Sequence, residues 1–502
     1  MLAGCAGSPS GGDAHAVLPA TPGKHDNAAG RKSESPGAAG TPASAEPDGG
    51  APNGDGAPLD EPVGGDAMGA GNASGAGGRS GTAGAPKGAT AGKGGVAGSS
   101  QPSAAGSAAA AGSVGAAGAA GASDPSEAIF DLTKLHDVRV YVASADLDSV
   151  RNDRDARIAA TAYFDGQKLD MIVTHRKGFT TASTSKPSLV LDLDDTVKNQ
   201  KLDGLSKLVL NNAKQDPSFL NEHLAYDFVR SAGLPAPRTA HAVLTLNDEV
   251  LGLYILEEDV NKTYLARWFG ANNKSGNLYE GSLRDFAQDQ TAGMFPWELD
   301  LKGEVDEGRT RDDVIAFAKL IEAASDADYA TTLNASMDFD SFVTAFAIDM
   351  ITSSTDDYCY ASNNYYLYHN PRDDRFVLLL HGMDFLFSTG ATFPVAQPDA
   401  NVDPFIPLTD PMAGSGPGRV AARLRAIPAL ETRLRAEVGR LIRTVWDVDH
   451  LSARIDRVAS VLHTNTRTDA ALLTDIASFD AQRPVMLKLL ADRKAYVESV
   501  TP

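Results

Sequence analysis

An α+β domain in two lobes, a β-rich one followed by a mainly helical one, is what the sequence predicts for everything after about residue 125. Three observations predict it. No Phe, Trp or Tyr occurs before Phe130, so the apolar material for a core lies in the remainder of the 502 residues. From Val138 to Leu256 apolar residues alternate with period two, and from about Arg311 onward they recur with helical spacing.

The segment before the domain is almost wholly Gly, Ala, Ser, Pro and Thr. With so few apolar side chains to bury, nothing offsets a backbone ordering cost of about 1–2 kcal/mol per residue. The expected organisation is therefore a short start (1–5), an unstructured linker (6–125) and a folded domain (126–502), whose lobes divide near residue 262 (126–262 and 263–502). The linker carries 10 acids and 6 bases, so most of the net charge of −20 belongs to the domain. That balance, with no stripe of Lys and Arg, argues against a nucleic-acid partner. No apolar run reaches the length of a spanning helix, so no transmembrane segment is expected. Leu2-Ala3-Gly4-Cys5 resembles a bacterial lipobox, with Cys5 as the acylated residue and the linker as spacer. On that reading the domain is expected to be lipid-anchored in the cell envelope, outside the cytoplasm, with the signal peptide beginning upstream of Met1. Cys359 reads as a buried apolar thiol.

Within the first lobe, Val138–Val142, Ile158–Phe164 and Lys168–Thr174 read as strands, with Asp165-Gly166 as a turn. Ser188–Leu193 and Lys207–Leu210 continue the series. Asp216-Pro217 reads as an N-cap and first helical residue, and Gly233 as the stop. Ala240–Leu246 and Val250–Leu256 form a hairpin. Several strands, one helix and a hairpin are the order of a kinase-like N-lobe. In the second lobe Val314, Phe317, Ala318 and Ile321 make one helical stripe, and Phe342, Phe346 and Met350 another. A single hairpin, Tyr365–Tyr368 with Phe376–Leu380, interrupts the helices, and Val420–Val445, Ala453–Leu462 and Pro484–Val500 complete them.

Phosphoryl transfer asks a protein for a Lys on the phosphates, oxygen ligands for a divalent ion and an Asp to orient the acceptor hydroxyl. Such residues flank the hairpin: Asp356 and Asp357 with Asn363 and Asn364 before it, and Gly382-Met383-Asp384-Phe385 after it. Taken alone they are equally well read as turn caps beside a core hairpin. The strings TDDY from Thr355, NNYYLYHNPRDDRFVLLL from Asn363, LGLYILEEDVNK from Leu251 and KPSLVLDLDD from Lys186 resemble the spore-coat CotH kinase family. So do GNLYEG from Gly276 and the stretch from Leu208 to Arg238.

The resemblance implies a two-lobed protein-kinase-like domain that uses ATP with Mg²⁺, or Mn²⁺, to phosphorylate surface or coat proteins. It implies Asp384 as metal ligand, Asn363 or Asn364 as an amide ligand, and Asp356 as the other catalytic Asp with Asp357 as its substitute. Lys186 is expected on the phosphates, and Lys177 with Gly178 keeps part of a phosphate-side turn. Glu222 falls on the apolar helical line of Ala225, Tyr226 and Val229, where an unpaired carboxylate is costly, and a pair with Lys186 is expected to resolve that. Glu258 falls where the lobes connect and reads otherwise as an exposed loop residue. Two departures stand out: Gly382 replaces one Asp of the family's Asp-x-Asp, and His175 and Phe179 alter the Lys177-Gly178 turn. These set an active kinase against two alternatives, a pseudokinase acting as a binding or adhesion module and a structural coat component.

Overall fold

The computed structural model describes residues 124–178, 183–287, 299–302, 309–387, 398–408 and 416–502. Phe179 lies outside them, as does Cys5.

The first part of the domain is a closed barrel of seven strands: β1 (His136–Val142), β2 (Ile158–Phe164), β3 (Gln167–Lys177), β4 (Ser188–Asp192), β5 (Lys207–Asn211), β6 (Thr239–Leu246) and β7 (Glu249–Glu257), in the order β1-β2-β3-β4-β5-β7-β6. All pairings are antiparallel except β1 with β6, which closes the barrel. Asp165 and Gly166 both adopt positive φ (50° and 85°) between β2 and β3, the geometry a two-residue hairpin requires. A short helix, α1 (Leu147–Asn152), follows β1, and α2 (Asn221–Ser231) lies between β5 and β6. Asp216 does cap this turn, its carboxylate accepting from the N–H groups of Ser218, Leu220 and Asn221 (2.9, 2.8 and 2.7 Å). The helix itself begins at Asn221, later than Asp216-Pro217 suggested, because that carboxylate holds the preceding residues in a turn.

Alternation sorts the strand residues between two cores. Leu189, Leu191, Leu208, Leu210, Tyr254 and Leu256 fill the barrel. Leu253 and Ile255 point the other way, into the larger helical core. After α3 (Lys262–Phe269), strands β8 (Leu278–Gly281) and β9 (Asp300–Lys302) are followed by α4 (Asp312–Ala323), α5 (Tyr329–Ser336), α6 (Phe339–Thr352) and α7 (Tyr358–Ala361). Then come β10 (Tyr365–Asn370), β11 (Arg375–Leu380), α8 (Arg419–Ala426), α9 (Pro428–Thr444), α10 (Val448–Thr464) and α11 (Ala470–Val500). The expected hairpin β10–β11 is half of a four-stranded sheet, β11-β10-β8-β9. Leu367, Leu378 and Leu380 on one face join the helical core, while Leu278, Tyr366 and Leu379 on the other pack with Tyr264 and Leu265 of α3.

The last helix does not start at Pro484 but runs through it from Ala470. Its first half is held against the barrel, where tertiary contact outweighs the one hydrogen bond the proline removes. Among the described residues no helix is long and apolar enough to cross a membrane.

Candidate active site

A cavity of about 470 Å³ lies between the barrel and the second sheet. Its roof follows from strand register. His175 pairs with Val190, Val190 with Val209 and Val209 with Glu257, so these four form one row across β3, β4, β5 and β7. All four line the cavity, as do Lys177, two residues on from His175, and Lys207, two before Val209. The floor is Leu278 and Glu280 of β8, Tyr366 of β10 and Lys302 of β9, with His381 beyond β11. Arg154, Arg157 and Arg176 add to a basic lining, opposed by Glu257, Glu258, Asp259 and Glu280. In a chain of net charge −20 this surplus of cations is a local reversal of sign.

Lys177 Nζ lies 3.0 Å from Glu257 Oε2, and Glu257 is enclosed. Burial alone would raise the Glu257 pKa, but the Lys177 ammonium outweighs it and the carboxyl is held below its usual value. The Lys177 pKa is correspondingly raised, the charge of Glu257 outweighing burial. Tyr226 of α2 donates its hydroxyl to Glu257 Oε1 (3.1 Å) and accepts the N–H of Gly382 (3.0 Å), joining the pair to the loop after β11. His381 Nδ1 is 3.5 Å from the same Glu257 oxygen. Burial first, then the Lys177 charge, lowers the His381 pKa to about 4, so this imidazole is neutral at physiological pH.

Asp356 lies outside the cavity lining, where α6 has ended and the chain heads for β10. Its two oxygens accept from Asn363 Nδ2 and Asn364 Nδ2, each at 3.0 Å. Burial raises its pKa to about 6 while the two amides pull it back. Asp384 is raised to about 7, by burial first and then by the Asp356 charge, with Lys177 opposing. The structure thus brings Asp356, Asn363 and Asn364 together, with Gly382 against Asn364 and Asp384 within electrostatic reach of both Asp356 and Lys177. Asn363 already uses its amide oxygen on the Leu283 N–H (3.0 Å), which leaves Asn364 as the better amide donor.

Two carboxylates and an amide oxygen are hard donors that suit Mg²⁺, which fills its remaining positions with water and phosphate oxygens. Among the described residues no cluster of three or more His, Cys, Asp or Glu forms a metal site unaided. Gly382 has φ 65°, and a Cβ there would lie 2.9 Å from Asn364 Cγ. The space beside Asp384 that a larger residue 382 would need is therefore filled by the Asn364 side chain.

Other expected residues fall elsewhere. Lys186 does not meet Glu222; its ammonium lies 2.7 Å from Asp475 Oδ2 on α11. Glu222 instead accepts from Asn211 Nδ2 (2.9 Å), and its pKa is raised well above normal by burial and then by Glu257 and Asp384. Glu258 is not an exposed loop residue. It is buried and occupied by Arg238 (2.8 Å) and Arg267, which leaves its carboxylate no free face for a ligand. Asp357, fully enclosed beside Asp349, is out of solvent's reach.

Sequence reasoning missed Glu257, Tyr226, His381, Glu280 and Lys302. The signal for Glu257 was parity: it continues the outward line of Leu253 and Ile255, whereas Glu258 does not.

The CotH kinase family, described as "CotH kinase protein", matches residues 174–497. A Bacillus subtilis (strain 168) protein, "Inner spore coat protein H-like protein", is 30% identical over 100 residues, covering 18% of this chain and 33% of the relative. The chain thus spans about a third of the length of the curated relative it matches. Among solved structures, the Helicobacter pylori proinflammatory kinase CtkA aligns with a TM-score of 0.25 and 11% identity, over 61% of this chain and 94% of its own. The HipA–HipB–operator DNA complex of Shewanella oneidensis MR-1 gives 0.25 and 12%, over 68% and 65%.

Proposed function

This chain belongs to the CotH kinase family, and from that premise we propose that its cavity binds ATP and that the chain transfers the terminal phosphoryl group to hydroxyl side chains of surface or coat proteins. The observation that carries the reading is the Lys177–Glu257 pair, a half-buried cation held charged on the cavity roof by an enclosed carboxylate, within electrostatic reach of Asp384. Val190 and Val209 above, with Leu278 and Tyr366 below, suit a planar base, and the basic lining suits its phosphates.

Asp384 and Asn364 would hold the divalent ion. Mg²⁺, or Mn²⁺ in its place, supplies positive charge where negative charge develops on the transferring group. Lys177 fixes the phosphates while Glu257 and Tyr226 fix Lys177. Asp356 orients the acceptor hydroxyl and takes its proton as the new P–O bond forms and ADP leaves; a pKa raised to about 6 suits that exchange near neutrality. The spore-coat name of the Bacillus subtilis relative supports a coat or envelope setting, in which acylation at Cys5 would anchor the chain; mass spectrometry of the native protein tests that.

The test is transfer of labelled phosphate from ATP to a mixture of coat or envelope proteins. Asp384→Asn should abolish it together with metal-dependent binding. Asp356→Asn should cut turnover by about 10²–10⁴-fold while sparing binding. ATP binding without transfer by the unaltered protein would make the chain a binding module instead.

A further inference from the structure

Two charged side chains of the 31-residue α11, one towards each end, are spent on the barrel and on the end of α6. Asp475, near its start, reaches into the barrel. Its Oδ2 accepts from the backbone N–H of Leu253 and from Lys186 Nζ, both at 2.7 Å. It occupies room that only a glycine leaves, since a Cβ on Gly252 (φ 104°) would stand 2.2 Å from that oxygen. On the other side of β7, β5 pairs only from Ile255 to Glu257, so Leu253 lies beyond its end. Lys186 is held in turn over the rings of Phe219 and Tyr254.

Arg493, fully buried, does the same at the other end. It donates to the carbonyls of Ile351 (2.6 Å), Met350 (2.9 Å), Ala400 (3.0 Å) and Val402 and to Ser353 Oγ (3.0 Å). Those acceptors are the last turn of α6, which leads into Asp356, and the segment that follows Phe387. Asp475 and Arg493 lie about five turns, or roughly 27 Å, apart on one helix face. Midway stands Pro484, which leaves the carbonyl of Asp480 without its intrahelical donor and makes this the point where the helix bends most easily.

We propose that α11 is a strut that sets the opening of the cleft, with Asp475 as the positioning residue at the barrel end and Arg493 at the end beside the loop that carries Asp356. The strut joins the strand that carries Glu257 to the loop that carries Asp356, so the distance across the cavity is fixed by the helix and adjusted by its bend.

The inference rests on the nucleotide reading only for its last arm. In the full chain with Cys5→Ser, paired spin labels at Lys168 on the barrel and Lys319 on α4, both exposed, read the separation of the two parts. Asp475→Asn keeps the shape and removes the charge. It should widen the distance distribution and shift it outward, and speed exchange of the Leu253 amide by about tenfold. Asp475→Glu, which keeps the charge but lengthens the arm, should shift the distances likewise if the asparagine variant does not fold. Unchanged distances in a folded variant, with or without faster exchange at Leu253, would overturn the strut. ATP with Mg²⁺ should bind Asp475→Asn about tenfold more weakly. If the distances shift but the unaltered protein binds no ATP, the strut stands and the nucleotide reading fails.

Discussion

Glu257 and Asp357 are both enclosed carboxylates in the same domain, yet the pKa of one is held down and that of the other is pushed up. Glu257 has Lys177 at 3.0 Å and the Tyr226 hydroxyl at 3.1 Å, and it stays ionised in spite of burial. Asp357 and its neighbour Asp349 have no such help. Among the described residues no Lys, Arg or His pairs with either, and burial first, then for Asp357 the charge of Asp349, raises both. Burial alone therefore does not mark a functional acid. A cation brought to a buried carboxylate across two strands is a placed charge, whereas a pair of acids left to share protons is a feature of the core.

The largest break in this comparison comes from removing the cation. Lys177→Met leaves Glu257 and Glu222 facing each other unpaired, and should lower stability by about 3–5 kcal/mol and weaken ATP binding beyond detection. Adding Glu257→Gln should recover most of the stability and none of the binding, which denaturant unfolding and calorimetry read separately. A loss of stability alone, about 3–6 kcal/mol, is expected when the chain is cut to begin at residue 131, because Ile129 and Phe130 leave the core. Arg238 then also loses Asp124, Ser126 and Glu127. A chain beginning at residue 124 should unfold like the full protein.

The proton-holding pair predicts a pH effect of opposite sign to that of an ordinary salt bridge. Burial pushes Asp349 up to about 8, so the native state keeps a proton that the unfolded chain releases near pH 4. The stabilisation is full below about pH 4 and is lost as pH rises towards 8. Asp349→Asn cannot titrate, and its unfolding free energy should decline less from pH 5 to pH 8 than that of the unaltered protein. The smallest effect is expected from Lys186→Met. With its ammonium on Asp475 and not on phosphates, the change should alter ATP affinity by less than about threefold.

Strand alternation, the stripe of Val314 and Ile321, and the β10–β11 hairpin were all legible in the sequence, because each is a local pattern of side chains around one element. The closeness of Asp356, Asn364 and Asp384 was legible for the same reason, since a hairpin joins their positions. Lys186 and Lys177 could not be ranked locally. Both lie beside strands, and what separates them is a carboxylate far along the chain, Asp475 for one and Glu257 for the other. Pro484 misled in the same way: it reads as a helix start, and only the barrel contacts of residues before it keep the helix whole. β8 and β9 escaped because strands of four and three residues carry too little alternation to stand out.

The central claim is that Asp384 holds a divalent ion for a nucleotide that Lys177 receives. Calorimetric titration of ATP into the unaltered protein and Asp384→Asn, each with and without Mg²⁺, tests it most directly. Binding to the unaltered protein should tighten at least tenfold with Mg²⁺, and binding to the variant should be weak and indifferent to the metal. Equal, metal-enhanced binding in both proteins would contradict it.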